Sequence, residues 1–337
     1  MTRTTRTHLR QVVVAAALMA LAAVPAAHAD LAVQHDSTVV TETAGNGNGI
    51  PEPGDTVAVT ENVMSVDPDQ VFSGVSGTLA TSFAGATVSS ASSAYADLAF
   101  ATPVGNASPY SVAMSSTMEC GVAVPMTLSL QTSAGPTGVG FDLPTGAAGS
   151  FAAYDSAAVP RAIPDGDSLG VSSDLTISGS GGRVKGLRVR IGHITHTYDG
   201  DLTLILISPD GRTVKLVGGK GDSGDDFVDT VFDDNAASTI RSTTPAPFTG
   251  TFKPAEPLSV LDGAPLSGSW TLKVVDNSSG DIGTVDAWGL NIARAICAPQ
   301  PSPQPPPPPP PHDCGNGNGA GNSKAKPAKP QHDCPKK

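Results

Sequence analysis

Apolar residues recur at every second position in short runs along most of the chain, and clusters of Gly, Pro, Asn and Ser separate the runs. In the first half such runs are Val39-Val40, Val57-Ala58-Val59, Val75-Ser76-Gly77-Thr78-Leu79, Ala86-Thr87-Val88 and Met126-Thr127-Leu128-Ser129-Leu130. A period of two, bounded by turn residues, marks β-strands with one buried face. The second half has stronger runs. Leu187, Val189 and Ile191 alternate with Arg188 and Arg190. Leu202-Thr203-Leu204-Ile205-Leu206-Ile207 is apolar on both faces and predicts a central, fully buried strand. Trp270-Thr271-Leu272-Lys273-Val274-Val275 and Trp288-Gly289-Leu290-Asn291-Ile292 predict strands carrying both tryptophans inward. No window sustains a 3.6-residue period. The predicted fold class is all-β, with two antiparallel β-sandwiches at residues 30–145 and 155–296. The Gly- and Ala-rich stretch around 146–154 reads as a linker.

Composition narrows the class. Charged residues are 15% of the 337, Gly is 37 and Pro is 30, which excludes a coiled coil or a helical bundle. The start of the chain changes the bookkeeping. Arg3, Arg6 and Arg10 precede an apolar run, Val12 to Pro25, and Ala27-His28-Ala29 supplies small residues at a cleavage position. This is the pattern of a secretory signal peptide at residues 1–29, with an apolar run too short to span a bilayer comfortably. The expected destination is extracellular or periplasmic, without membrane insertion.

Removing that segment leaves 17 basic against 31 acidic residues, a net of −14. Between Asp30 and Pro160 there are twelve acids and no Lys or Arg. Nucleic acid needs a positive footprint, which neither predicted sandwich has, so it is excluded as a partner. Export permits disulfides among Cys120, Cys297, Cys314 and Cys334. Four cysteines allow three pairings, and the sequence does not choose among them. A Cys120–Cys297 bond would staple the two halves. The repeated His312-Asp313-Cys314 and His332-Asp333-Cys334 offer a metal-binding alternative for the other two. Residues 297–337 read as a Pro-rich, low-complexity tail. Its seven consecutive prolines, Pro305 to Pro311, favour polyproline II, and the segment after them is expected to be disordered.

Several strings in the second half lie in a consistent order. They are Ile163-Pro164-Asp165, Gly179-Ser180-Gly181-Gly182, Val189-Arg190-Ile191 and His196-Thr197-Tyr198-Asp199-Gly200-Asp201-Leu202. Leu206-Ile207-Ser208-Pro209-Asp210-Gly211, Val231-Phe232-Asp233-Asp234, Phe248-Thr249-Gly250, Leu266-Ser267-Gly268-Ser269-Trp270 and Ala287-Trp288-Gly289-Leu290 follow. Together they resemble the P domain, or Homo B domain, of kexin- and furin-like proprotein convertases. The resemblance implies a jelly-roll sandwich that usually follows and stabilises a subtilisin-like catalytic domain and is not itself catalytic. Through Gly47-Asn48-Gly49-Ile50-Pro51-Glu52-Pro53-Gly54-Asp55 the first half is similar to sandwich modules of bacterial exported proteins.

Candidate chemistry is sparse. No Gly-Thr-Ser-x-Ala-x-Pro string marks a subtilisin-type nucleophile. Gly221-Asp222-Ser223-Gly224 resembles the nucleophile loop of chymotrypsin-like proteases. However, His193 and His196 are only about thirty residues upstream, and Asp225 and Asp226 would disfavour an oxyanion. The acidic residues are the stronger candidates. Asp199 and Asp201, with Asp225, Asp226, Asp233 and Asp234, form the predicted metal set, and Ca²⁺ is the cation such carboxylates suit. Asp222 and Asp229 lie within the same run. A second loop, Ala44-x-Asn46-x-Asn48-Gly49-x5-Asp55, approaches a calcium loop but has Ala44 where the first acid belongs, so a turn between strands explains it more simply. The function read from the sequence is a secreted, non-catalytic module associated with serine endopeptidases, with a peptidase or surface protein as partner. The alternatives are an adhesive or structural surface protein, and a serine endopeptidase with an unrecognised site.

Overall fold

A computed structural model describes residues 33–300 except Ser180. The protein is all-β, and two short 3-10 turns are its only helical elements among the described residues.

The first sandwich contains β1 (Val33–Ala44), β2 (Thr56–Ser65), β3 (Ser76–Ala80), β4 (Ala86–Ser90), β5 (Ser92–Ala94), β6 (Val104–Gly105), β7 (Tyr110–Met114), β8 (Val124–Thr132) and β9 (Gly135–Leu143). One sheet runs β1-β2-β7-β4, with β6 against β2; the other runs β5-β3-β8-β9. Alternation explains the layering. β2 turns Val57, Val59, Glu61, Val63 and Ser65 inward, and β8 turns Val124, Met126, Leu128 and Leu130 inward. Phe72, Tyr110 and Leu143 complete the core.

The second sandwich contains β10 (Ala147–Asp155), β11 (Arg161–Ile163), β12 (Val171–Ile177), β13 (Val184–His196), β14 (Leu202–Ile207), β15 (Thr213–Gly218), β16 (Phe227–Phe232), β17 (Phe248–Phe252), β18 (Gly268–Asp276) and β19 (Gly283–Ile296). Its sheets are β10-β19-β13-β16-β17, with β11 on β19, and β12-β18-β14-β15. All pairs within these two sheets are antiparallel except β16 with β17, which run parallel. Trp270 and Trp288 both face the core, 0% and 3% exposed. Trp288 donates its indole N–H to Ser173 Oγ at 2.8 Å, and Trp270 donates to the Leu266 carbonyl at 3.2 Å.

Three sequence expectations change. Residues 147–155 are not a linker but strand β10, paired along β19 from Ala147↔Ile296 to Asp155↔Gly289. Its Ala and Gly residues hid it: β10 is an edge strand with few large side chains to bury. β14 is an interior strand, but only Leu202, Leu204 and Leu206 face the core; Thr203, Ile205 and Ile207 are half-buried on the other face. Residues 297–300 do not belong to a tail. Cys297 is bonded to Cys120, the Ala298 N–H donates to Glu52 Oε1 at 3.0 Å, and Gln300 Nε2 donates to Asp55 Oδ1 at 2.8 Å. The signal segment, the proline run, Cys314 and Cys334 lie outside the described residues.

The two sandwiches are joined tightly. The Cys120–Cys297 disulfide links positions 177 residues apart. Beside it, Arg183 grips Glu119 through Nε and Nη2, both at 2.8 Å, and this pairing outweighs burial to hold the Glu119 carboxyl below the usual range. Gly121 sits where a β-carbon would come within 2.2 Å of the Ala295 side chain, so only glycine lets the backbones approach this closely.

Candidate functional site

Strand β13 ends at His196, and the chain then makes a 3-10 turn over Asp199–Asp201 before entering β14. Asp199 and Asp201 therefore lie on a turn and do not face one way. Asp199 points inward and is completely buried, while Asp201 is partly exposed and its carbonyl accepts both N–H groups offered by Asn277.

The loop before β16 folds against this turn. Asp199 donates its backbone N–H to the Gly224 carbonyl at 2.7 Å, and Gly200 donates to the Asp222 carbonyl at 3.0 Å. The Tyr198 hydroxyl donates to Asp222 Oδ1 at 2.8 Å. Asp226 accepts the His196 N–H on Oδ1 at 2.9 Å, and its carbonyl accepts from Phe248. Asp222 and Asp226 hold left-handed backbone conformations, φ 52° and 73°, which Asp tolerates better than most residues. Gly221, at φ +114°, lets the loop pass Phe248, whose ring would be 2.5 Å from any β-carbon there.

Asp199 is the anomaly of this arrangement. Neither of its carboxylate oxygens has a hydrogen bond of ordinary geometry. Burial pushes its pKa up to about 8; the Asp226 and Asp225 charges push the same way, and the Asp226 backbone amide opposes them. A buried acid without partners is costly, so it either keeps its proton or meets a cation. Just behind the turn, His196 and Asp276 are also completely buried, with Nε2 and Oδ2 3.5 Å apart and the other ring nitrogen 2.9 Å from the Tyr198 carbonyl.

Of the six residues in the predicted metal set, Asp225 and Asp226 lie near enough to Asp199 for their charges to act on it, Asp201 is partly exposed on the same turn, and Asp233 and Asp234 lie apart. Those two lie beyond β16, six residues or about 20 Å along the strand. Asp233 pairs with Arg188 at 2.6 Å, and Asp234 accepts the N–H groups of Leu258 and Ser259 at 2.8 and 2.9 Å, capping the second 3-10 turn. Among the described residues, no three His, Cys, Asp or Glu side chains converge closely enough to hold a metal by themselves. Any cation at Asp199 therefore needs backbone carbonyl oxygens as well.

The loop at residues 44–55 joins β1 to β2. Glu42, two residues before Ala44, accepts the Gly47 and Gly49 N–H groups at 2.6 and 2.8 Å and so braces the turn. Glu52 and Asp55 are buried but fully engaged, Glu52 by Asn46, Asn48 and Ala298, Asp55 by Gln300 and the Glu52 N–H. This loop anchors residues 298–300. Ser223 is exposed on the loop before β16. The nearby histidines serve other partners, His193 Nδ1 lying 3.1 Å from Asp286 Oδ2.

The second sandwich is a proprotein convertase P-domain: the family model of that name matches residues 185–292. Two curated proteins are similar to parts of the chain. The chain is 30% identical over 166 residues to the transglutaminase-activating metalloprotease of Streptomyces mobaraensis, covering 49% of this chain and 18% of that one. It is 29% identical over 126 residues to leupeptin-inactivating enzyme 1 of Streptomyces exfoliatus, covering 37% and 23%. The chain thus spans less than a quarter of the length of either relative. Among solved structures, the Aeromonas sobria serine protease in complex with its chaperone is similar at 17% identity and a TM-score of 0.29, over 46% of this chain and 28% of that one. A second structure of the A. sobria serine protease gives 15% and 0.29, over 51% and 37%.

Proposed function

We propose that this protein is an exported, non-catalytic module that binds and stabilises a secreted peptidase. The observation that carries the reading is the P-domain at residues 185–292; the chain's similarity to proteins named as a metalloprotease and a leupeptin-inactivating enzyme supports it. The setting of Ser223 supports the non-catalytic part, because His193 and His196 are committed elsewhere and two carboxylates follow it. No described helix is long and apolar enough to cross a membrane. The test is crosslinking of the chain in native culture supernatant, followed by identification of the attached proteins. A peptidase attached through the second sandwich is expected; fractionation with cells and no peptidase attached would favour an adhesive surface protein. Cleavage of casein or dibasic peptides by the purified chain, abolished in Ser223→Ala, would overturn the non-catalytic role.

The same reading includes a cation. Ca²⁺ at the Asp199 turn, with Asp225, Asp226 and carbonyl oxygens of the loop before β16, would convert mutual repulsion into attraction and tie that loop to β14. The orphaned oxygens of Asp199 are the support for this assignment.

A further inference from the structure

Residues 33–300 contain five lysines, and three of them line one depression in the second sandwich. Lys215, Lys220 and Lys253 surround about 230 Å³ of space above an apolar floor of Leu216, Val217 and Ile240. The backbone builds this arrangement. β15 is the edge strand of its sheet, and its register shifts at Leu216, so that Leu216 and Val217 are both buried while Lys215 faces out. The Lys215 stem runs along Gly218, its Cδ 3.5 Å from where a β-carbon would stand. Gly218 and Gly219 then lead to Lys220. Lys253 reaches the same rim because Thr239 bridges to it and the Ala255 N–H donates to the Leu216 carbonyl.

None of these three lysines takes part in the ion pairs found among the described residues. Two carboxylates of neighbouring segments are engaged elsewhere: Glu256 accepts the Lys215 backbone N–H at 2.7 Å, and Asp222 accepts from the Tyr198 hydroxyl at 2.8 Å. Neither lines the depression. The chain carries a formal charge of −11, so this cluster opposes the sign of the molecule around it. Three ammonium groups around an apolar floor repel one another until an anion sits among them.

We propose that this depression binds a carboxylate-rich polypeptide segment that also lays an apolar side chain on the Leu216–Val217–Ile240 floor. Lysine ammonium groups are point charges that accept carboxylates in varied orientations, whereas arginine forks select bidentate geometry. The floor distinguishes a polypeptide from phosphate, sulfate or a sulfated polysaccharide, none of which has an apolar group to bury there.

The test uses residues 30–337 and a labelled peptide of six glutamates around one leucine, followed by fluorescence anisotropy. Binding is expected to weaken about tenfold in the triple variant Lys215→Gln/Lys220→Gln/Lys253→Gln, the sum of three exposed ion pairs. It is also expected to weaken at high salt and to fall several-fold when serine replaces the peptide's leucine. Unchanged affinity in the triple variant, or equal binding of the leucine and serine peptides, would overturn the proposal. So would displacement of the peptide by inorganic phosphate or heparin at lower concentration than by unlabelled peptide. If the triple variant does not fold, the unmodified protein decides: binding a peptide with lysines in place of the glutamates would refute the site.

Discussion

Each sandwich buries a carboxylate among apolar neighbours, and the two are treated in opposite ways. In the first, Glu61 occupies an inward position of β2 between Val59 and Val63. It accepts His35 Nδ1 at 2.5 Å and Thr38 Oγ1 at 2.6 Å, while its backbone N–H donates to Asn106 at 2.7 Å. Burial raises its pKa against the pull of these partners. In the second, Asp199 is buried as completely and has no such partners. Paired burial is architecture: it fixes β1 against β2. Unpaired burial at a turn, with the Asp225 and Asp226 charges acting on it, calls for a physical reason, and the cation proposed above would supply one.

The comparison can be broken first at the cores. Trp270→Ala removes a fully buried side chain from the centre of the second sandwich and should cost about 3–5 kcal/mol in chemical denaturation. A variant as stable as the parent would refute the strand packing. Replacing both Cys120 and Cys297 by Ser frees a 177-residue loop and should cost about 2–4 kcal/mol. Separate melting of the two sandwiches in that variant would show that the bond, more than the Glu119–Arg183 contact, makes them one body.

The buried acids themselves give a sharper contrast. In EGTA, Glu61→Gln should destabilise by about 1–3 kcal/mol, because it strands the groups that Glu61 satisfies. Asp199→Asn should do the reverse. The folded-state pKa of Asp199, about 8, lies above its unfolded value near 3.8, so folding favours the protonated form. Stability is then fully present below pH 4 and lost as the pH rises from about 4 to 8. At pH 8 without cations, Asp199→Asn is expected to gain on the order of 2 kcal/mol and to lose most of that pH slope. Glu61, Asp55 and Asp262 also have raised pKa values from burial, so the difference between variant and parent is the quantity to measure. The smallest effect is at the Tyr95–Tyr110 hydroxyl pair, 3.2 Å apart, where Tyr95→Phe should cost about 1 kcal/mol.

Much of this was legible in the sequence. Period-two runs located β2, β3, β8, β13, β18 and β19, because each buries one face and writes that face largely as Val, Leu, Ile or Trp; β14 was read instead from an unbroken apolar run, which overstated the burial of its second face. The ordered strings from Ile163 to Leu290 identified the P-domain. Strand β7 escaped notice although Tyr110, Val112 and Met114 alternate, since Pro109 and the polar residues before it read as a turn. β10 escaped because an Ala- and Gly-rich edge strand is held by its ladder to β19 more than by side chains. Glu61 escaped because a charged residue at an inward position looks like an interruption of the core; its signal was the unbroken period from Val57 to Ser65. The sequence set Asp225 and Asp226 beside Asp199, but it also added Asp233 and Asp234, which the fold places elsewhere. Sequence adjacency joined Asp225 and Asp226 to Asp233 and Asp234, and the length of β16 separates them.

The central claim is that Asp199 is buried for a cation. Its most direct test is the thermal melt of residues 30–337 at pH 7.5 in EGTA, in millimolar Ca²⁺ and in millimolar Mg²⁺, for the parent and for Asp199→Asn. Ligand linkage supplies about 2.7 kcal/mol at a hundredfold excess over the dissociation constant, enough to raise Tm by a few degrees. The parent should show that rise with Ca²⁺ and little of it with Mg²⁺, which demands a tighter octahedral shell, and Asp199→Asn should show neither. A parent that melts identically in all three solutions, or a Ca²⁺ shift that survives in Asp199→Asn, would contradict the assignment.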